Sequence, residues 1–371
     1  MDATDKPAVG LCARRLLAAS LLLAAACEQR SGDQADSIEA LARQQLGFIA
    51  FVGAGANDPL WPILKAGAQR YLEQGATLGI RFFAPASDSA QDQINLVETL
   101  QDPQMRGLCI QIVDVGALMP VLNRLYNQGT LIVSMIQPAP ERLRVGHVGF
   151  DNEAVGWAVA QLTARTLHDG GSIMLLHAGQ ENPVASARLR TFDEEIATHP
   201  EISVLARLDC QGDPREARRL IRERSARYPR LSAWVALDDW PVRDLGHIES
   251  IIPPGCRFIT FGGTPAQWPL IRKGICPGVV AANYYDLGHQ AAQLCESAIL
   301  RPSRFKSNYT APLRTVGSTN LDEYTRDWTF WSTGQRVPDH QLQGLDAWPE
   351  GATTVPREGP PHMAPATLPG M

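Results

Sequence analysis

The sequence lacks most of the features that announce an enzyme, a membrane span or a nucleic-acid surface. It holds 34 Lys and Arg against 39 Asp and Glu, for a net charge of −5, and no cluster of basic residues that could track a phosphate backbone. The basic run from Arg215 to Arg230 is interleaved with Glu216, Glu223 and apolar residues, so it reads as the solvated face of a helix. There is no Gly-x-Ser-x-Gly, no His-Glu-x-x-His and no Walker-type phosphate loop. Seven cysteines are present without a Cys-x-x-Cys or a Cys/His spacing that would hold zinc. No metal and no cofactor is implied. Hydrophobic runs are short, and nothing approaches the ~20 apolar residues of a transmembrane helix.

What is present begins with a leader. Arg14 and Arg15 precede the apolar stretch Leu16 to Ala26, and Cys27, Glu28 and Gln29 follow. A basic flank, a short apolar core and small residues before the break predict a signal peptide over residues 1–27. Ala25-Ala26-Cys27 also resembles a bacterial lipobox, with Ala24 where Leu is usual, which would put a lipid on Cys27. The alternative is cleavage nearby and release into the periplasm. Residues 28–45 read as a polar tether. An exported chain permits a disulfide. Cys256 and Cys276 precede consecutive strands and are either a disulfide or two free thiols, whereas Cys109 and Cys295 read as core thiols.

From Leu46 the chain alternates short apolar runs with helical periodicity. Strands are predicted at Gly47–Val52, Ile80–Ala84, Leu108–Val113, Leu131–Met135 and Val145–Phe150, with helices at Leu60–Leu72, Ile94–Leu100 and Leu118–Tyr126. The pattern then repeats, with strands at Ser172–His177, Ser203–Leu208, Trp234–Leu237, Phe258–Phe261 and Val279–Ala282. Near-continuous apolar strands separated by helices mean parallel sheets covered on both faces. Two rounds predict two Rossmann-like α/β lobes. After Leu300 the alternation fades. Thr310–Asn320 reads as one or two extended segments, and residues 335–371 as a disordered tail rich in Pro, Gly and Thr.

Few motifs point to chemistry. Gly53-Ala54-Gly55 after the first strand resembles the start of a dinucleotide fingerprint, but Asp58 stands where the third glycine belongs. Those glycines read instead as a tight strand-to-helix turn, which favours Gly. Asp238-Asp239 lies just past an apolar strand, where open α/β sheets bind ligands. Glu194-Glu195 lies on a helix and reads as solvated.

Six segments in order resemble the type I periplasmic binding proteins, in particular the ribose- and galactose-binding branch that serves ABC importers. They are Asn57-Asp58-Pro59-Leu60-Trp61, Pro85-Ala86-Ser87-Asp88, His147-Val148-Gly149-Phe150-Asp151-Asn152, Ser186-Ala187-Arg188 with Phe192, Val235-Ala236-Leu237-Asp238-Asp239, and Phe261-Gly262-Gly263-Thr264-Pro265. The likeness runs from about Leu46 to Leu300, with a weaker echo at Thr315–Tyr324. It implies two lobes joined by a three-crossover hinge, with residues 46–150 and 283–310 in the first and residues 151–282 and 311–325 in the second. It implies a monomeric, non-enzymatic protein of the periplasm or cell envelope. Such a protein captures a carbohydrate-like ligand and delivers it to a membrane permease. A sensory receptor of the same fold, feeding a chemoreceptor or histidine kinase, is the alternative. No nucleic-acid partner is implied.

The resemblance also implies a site. Trp61 would stack on a sugar face, and Asp58, Gln111, Asp151, Asn152, Asp238 and Asn283 would bond hydroxyls. Arg188 would add a charge-assisted bond, and Met135 would line the fourth strand tip. Four of these have a stated structural alternative: Trp61 as core, Asp151 and Asn152 as helix caps, Arg188 as the partner of Glu181 or Asp193. Departures accompany the match. Met135-Ile136 stands where sugar binders commonly carry Asp-Arg, Gly262 replaces an Asp, Ser186 an Arg, and Ala282 a polar residue.

Overall fold

A computed structural model describes residues 46–179, 181–239, 248–302 and 307–333. The expected leader with Cys27, the tether and the tail lie outside the described residues. The expected two α/β lobes are present as two six-stranded sheets. The first has the order β11-β5-β4-β3-β1-β2, built from β1 (Phe48–Val52), β2 (Gly79–Phe83), β3 (Met105–Gln111), β4 (Leu131–Met135), β5 (Gly146–Gly149) and β11 (Asn308–Thr310). The second has the order β12-β10-β9-β8-β6-β7. Its strands are β6 (Gly171–His177), β7 (Ile202–Asp209), β8 (Ala233–Ala236), β9 (Arg257–Gly262), β10 (Gly278–Ala282) and β12 (Leu313–Gly317). All pairs are parallel except β12, which runs antiparallel to β10.

The chain passes between sheets after β5, after β10 and between β11 and β12. β1 and β8 are apolar throughout and wholly buried. That is what a sheet covered on both faces requires. Several helices start at short polar residues that take up otherwise orphaned backbone amides. Ser89 accepts from Asp92 N at 3.1 Å, Asp114 from Ala117 N at 2.9 Å, and Asn283 from Asp286 N at 3.1 Å.

Two helix pairs carry the site. In the first lobe α1 (Trp61–Glu73) packs on α8 (Tyr284–Leu300). A Cβ on Gly67 would lie 1.9 Å from the Tyr285 carbonyl oxygen, and one on Gly288 1.9 Å from that of Leu64. In the second lobe α4 (Asn152–Thr166) packs on α5 (Pro183–Ile196). There a Cβ on Gly156 would lie 2.1 Å from the Arg188 carbonyl. Glycine at these crossings lets the backbones touch, which fixes the heights at which Trp61 and Arg188 stand.

The basic run lies on α6 (Pro214–Arg227), where Arg219 pairs with both Glu216 and Glu223 on the exposed face. One alternative is decided. Cys256 and Cys276 are free and buried. The Cys256 thiol donates to the carbonyl of Arg257 (3.5 Å) and that of Cys276 to the carbonyl of Gly278 (3.2 Å), so each turns along its own segment and no disulfide forms. Burial pushes both thiols up to about 12. β11 and β12 match the extended segments read over Thr310–Asn320, and the chain beyond them, where the sequence pattern predicts no element, is also structured. It forms α9 (Leu321–Thr333), whose buried residues Leu321, Tyr324, Trp328 and Trp331 pack it against α1 and β12. Trp328 meets both Tyr284 and Trp268, the first residue of the short α7 (Trp268–Arg272), edge-on, at 6.0 and 5.8 Å, and Trp331 stacks on Tyr285 at 5.9 Å.

Candidate functional site

The carboxyl ends of β1, β3 and β4 in one sheet, and of β6, β8, β9 and β10 in the other, gather the candidate residues into two groups. In the first lobe Asp58 sits in the turn between β1 and α1. Its Oδ1 accepts from Leu60 N at 2.9 Å and its Oδ2 from Gln111 Nε2 at 2.7 Å. Gln111, the last residue of β3, accepts from Ala54 N at 3.3 Å through its other amide atom. Its amide is therefore engaged at both ends, and its role is to hold Asp58 and the turn rather than to reach outward.

Gln93, which sequence reasoning passes over, completes this support. Wholly buried on α2 (Ala90–Thr99), it donates to the carbonyls of Gly53 (3.0 Å) and Gln111 (2.7 Å) and accepts from Val113 N (3.0 Å). The available signal is a glutamine among apolar residues on the buried face of a helix. Trp61 is half-buried against Gly53, with Phe51 and Phe82 at ring separations of 6.2 and 6.4 Å. A Cβ on Gly53 would lie 2.4 Å from the indole. That glycine therefore serves the tryptophan, not a pyrophosphate.

In the second lobe Arg188 is the centre. Its Nε donates to Asn152 Oδ1 at 2.9 Å, and its Nη1 donates to the Leu237 carbonyl at 3.0 Å and Asp238 Oδ2 at 2.8 Å. The guanidinium also lies 4.7 Å from the centre of the Phe261 ring. These partners replace the alternatives of Glu181 and Asp193. Asp193 instead accepts from Arg207 at 2.8 Å. Arg188 is 4% exposed and Asp238 35%, so the cation is sealed while its carboxylate, whose Oδ1 also accepts from Asp239 N at 2.9 Å, is still reached by water.

The remaining candidates serve the frame. Asp151 is exposed and caps α4, accepting from Glu153 N and Ala154 N at 3.0 Å each. Asn283 is buried and caps α8. Met135 is fully buried in the core, so it presents no surface at the tip of β4. The next residue, Ile136, takes a left-handed backbone with φ of +63°. For a β-branched side chain that conformation costs about 1–3 kcal/mol.

Among the positions that depart from the sugar-binding pattern, Gly262 has a structural reason. Its φ is +139°, and a Cβ there would lie 2.5 Å from that of Asp239. Asp239, buried to 2% exposure, fills the space that a side chain at 262 would take. The carbonyl of Gly262 accepts from the Tyr284 hydroxyl at 3.1 Å, which ties the site to the second crossover. Behind β4, His147 Nδ1 lies 3.0 Å from both the Oγ and the carbonyl oxygen of Ser134. Burial pulls this imidazole down to about 4 and keeps it neutral. Among the described residues the bonds of Asp58 and Gln111 stay within the first group, and those of Asn152, Arg188 and Asp238 within the second. No cluster of His, Cys, Asp and Glu among the described residues could hold a metal ion, and none of their helices is long and apolar enough to cross a membrane.

Residues 49–300 match the family model of the periplasmic binding protein domain. The D-allose-binding periplasmic protein of Escherichia coli K12 is 22% identical over 256 residues, covering 65% of this chain and 81% of that protein. Among solved structures, an ABC transporter solute-binding protein from Agrobacterium vitis, bound with α-D-tagatopyranose, superposes with a TM-score of 0.67 at 14% identity. It covers 76% of this chain and 98% of its own. A sugar-binding protein of a sugar ABC transporter from Bacillus halodurans gives 0.66 at 19% identity, over 75% and 99% of the two chains.

Proposed function

This chain belongs to the periplasmic binding protein domain family, and from that premise we propose that it captures a carbohydrate or related small ligand between its two lobes and delivers it to an ABC-type permease. One observation carries the reading. Each lobe presents a held polar group at its strand ends: Asp58, braced by Gln111, on one side, and Asp238 and Asn152, braced by Arg188, on the other. A carboxylate oxygen that accepts one internal bond keeps a second lone pair for a hydroxyl, so these held groups are pre-organised acceptors, and pre-organisation lowers the cost of binding. A ligand that touches both groups favours the closed arrangement by its differential affinity for it. Sugars named with the relatives, D-allose and tagatopyranose, support the carbohydrate class.

The reading is one of binding without turnover, by a monomer, in the periplasm or at the cell envelope. The lobes would divide near residues 150, 283 and 311, a reading supported by where the chain changes sheet. A lipid on Cys27 would tether the protein to the envelope, and mass spectrometry of the mature protein reports it directly.

Thermal-shift screening of the mature protein against sugars, polyols, nucleosides and amino acids tests the function. A ligand at one hundred times its dissociation constant adds about 2.7 kcal/mol, a rise of roughly 4–5 °C for a protein of this size. Shifts confined to carbohydrates support the reading. Shifts by other classes alone overturn it.

A further inference from the structure

Ile136 is the first residue beyond β4, at the ligand-binding end of a parallel sheet. Among the described residues it is the only β-branched residue with a left-handed backbone. Its amide donates to the Val148 carbonyl at 2.9 Å, and the next amide, Gln137 N, donates back to the Met135 carbonyl at 2.7 Å. The segment is thus a three-residue γ-turn of the rare, strained hand. Glycine or asparagine would sit there comfortably and isoleucine does not. Strain of this kind persists where a particular side chain is wanted in a particular place.

The same turn removes hydrogen-bonding capacity from the strand tip. The Gln137 amide is engaged within it and the Ile136 amide with Val148 of β5, the Ser134 hydroxyl lies against His147, and Met135 is fully buried. What this tip offers at position 136 is a half-buried aliphatic side chain. The polar contacts of the site lie elsewhere, at Asp58 and at the Asn152–Arg188–Asp238 group. Such a site suits a ligand that is polar on most edges and apolar on one.

We propose that Ile136 is a specificity-determining contact and that the ligand is a deoxy sugar, which turns a C–H or methyl edge to Ile136 and its hydroxyls to Asp58, Asn152 and Asp238. The proposal rests on the carbohydrate reading above. A hydroxyl on the edge facing Ile136 would leave water and find no partner. An aliphatic wall rejects an added hydroxyl by a factor on the order of a hundred at most.

Isothermal titration calorimetry of the mature protein with matched pairs tests this: D-galactose and 6-deoxy-D-galactose, L-mannose and L-rhamnose, D-ribose and 2-deoxy-D-ribose. The wild type should bind the deoxy member of at least one pair ten- to a hundredfold more tightly. Ile136→Asn should shrink that ratio to less than threefold with a melting temperature no lower than wild type, because the backbone strain is relieved. Ile136→Gly serves as the second variant. Binding of the hydroxylated members as tightly as the deoxy ones, or a preference that survives both substitutions, overturns the proposal and leaves the carbohydrate reading standing. Failure of every carbohydrate to bind overturns both.

Discussion

Arg188 Nη1 lies 2.8 Å from Asp238 Oδ2, yet the two side chains live in different media, with the arginine 4% and the aspartate 35% exposed. That asymmetry decides how the pair responds to substitution. Asp238→Ala leaves a sealed cation with one carboxylate fewer, which costs about 3 kcal/mol or more. Arg188→Met leaves a carboxylate that water can reach, and should cost less. Urea denaturation without ligand measures both, and equal losses would count against the pair as described.

The α1–α8 crossing predicts a contrast between two glycines. Gly67→Ala would drive a methyl into the Tyr285 carbonyl, so the helices must part at a cost of about 1–3 kcal/mol or more. Gly116 lies on α3 (Val115–Asn127), and its added Cβ would find nothing closer than 3.4 Å. Gly116→Ala should be neutral or stabilise by up to about 1 kcal/mol through helix propensity. Thermal melts of the two variants read the difference directly.

His147 makes stability depend on acid. Its imidazole titrates near 4 in the folded chain, against an ordinary value of 6.5. The unfolded chain therefore takes up the proton first. Stability is full above about pH 6.5 and falls as the pH drops toward 4, by about 3 kcal/mol over that window. In His147→Gln this component of the pH dependence should be absent, which unfolding curves between pH 4 and 7 would reveal.

Helix α9 should be integral to the fold rather than an appendage. Trp331 is 2% exposed and stacked on Tyr285, so Trp331→Ala should cost about 3–5 kcal/mol. A chain ending at residue 320 should melt still lower. An unchanged melting temperature in either would mean that α9 does not hold to α1.

The fold is legible in the sequence wherever apolar runs are unbroken. β4 is Leu131–Met135 by apolar pattern and by structure alike. Helices α2 and α3 begin three or four residues earlier than their apolar periodicity suggests, because their first turns are polar or small and are secured by Ser89 and Asp114. α9 escapes notice because aromatic residues carry its helical spacing in a stretch that otherwise looks polar. Of the site, the individual residues are legible but their relations are not. Asp58 meets Gln111 across 53 residues and Arg188 meets Asp238 across 50, and no local spacing encodes such pairings. Nor does sequence reveal that Met135 turns inward while Ile136 adopts a left-handed backbone, since both are simply apolar.

The central claim is that one ligand is held by both lobes. Calorimetric titration of Asp58→Ala and Asn152→Ala, one substitution in each lobe, with the carbohydrate that stabilises the wild type tests it most directly. Each variant should bind that ligand at least tenfold more weakly, a loss of about 1.4 kcal/mol. Wild-type affinity in either variant would contradict capture between the lobes.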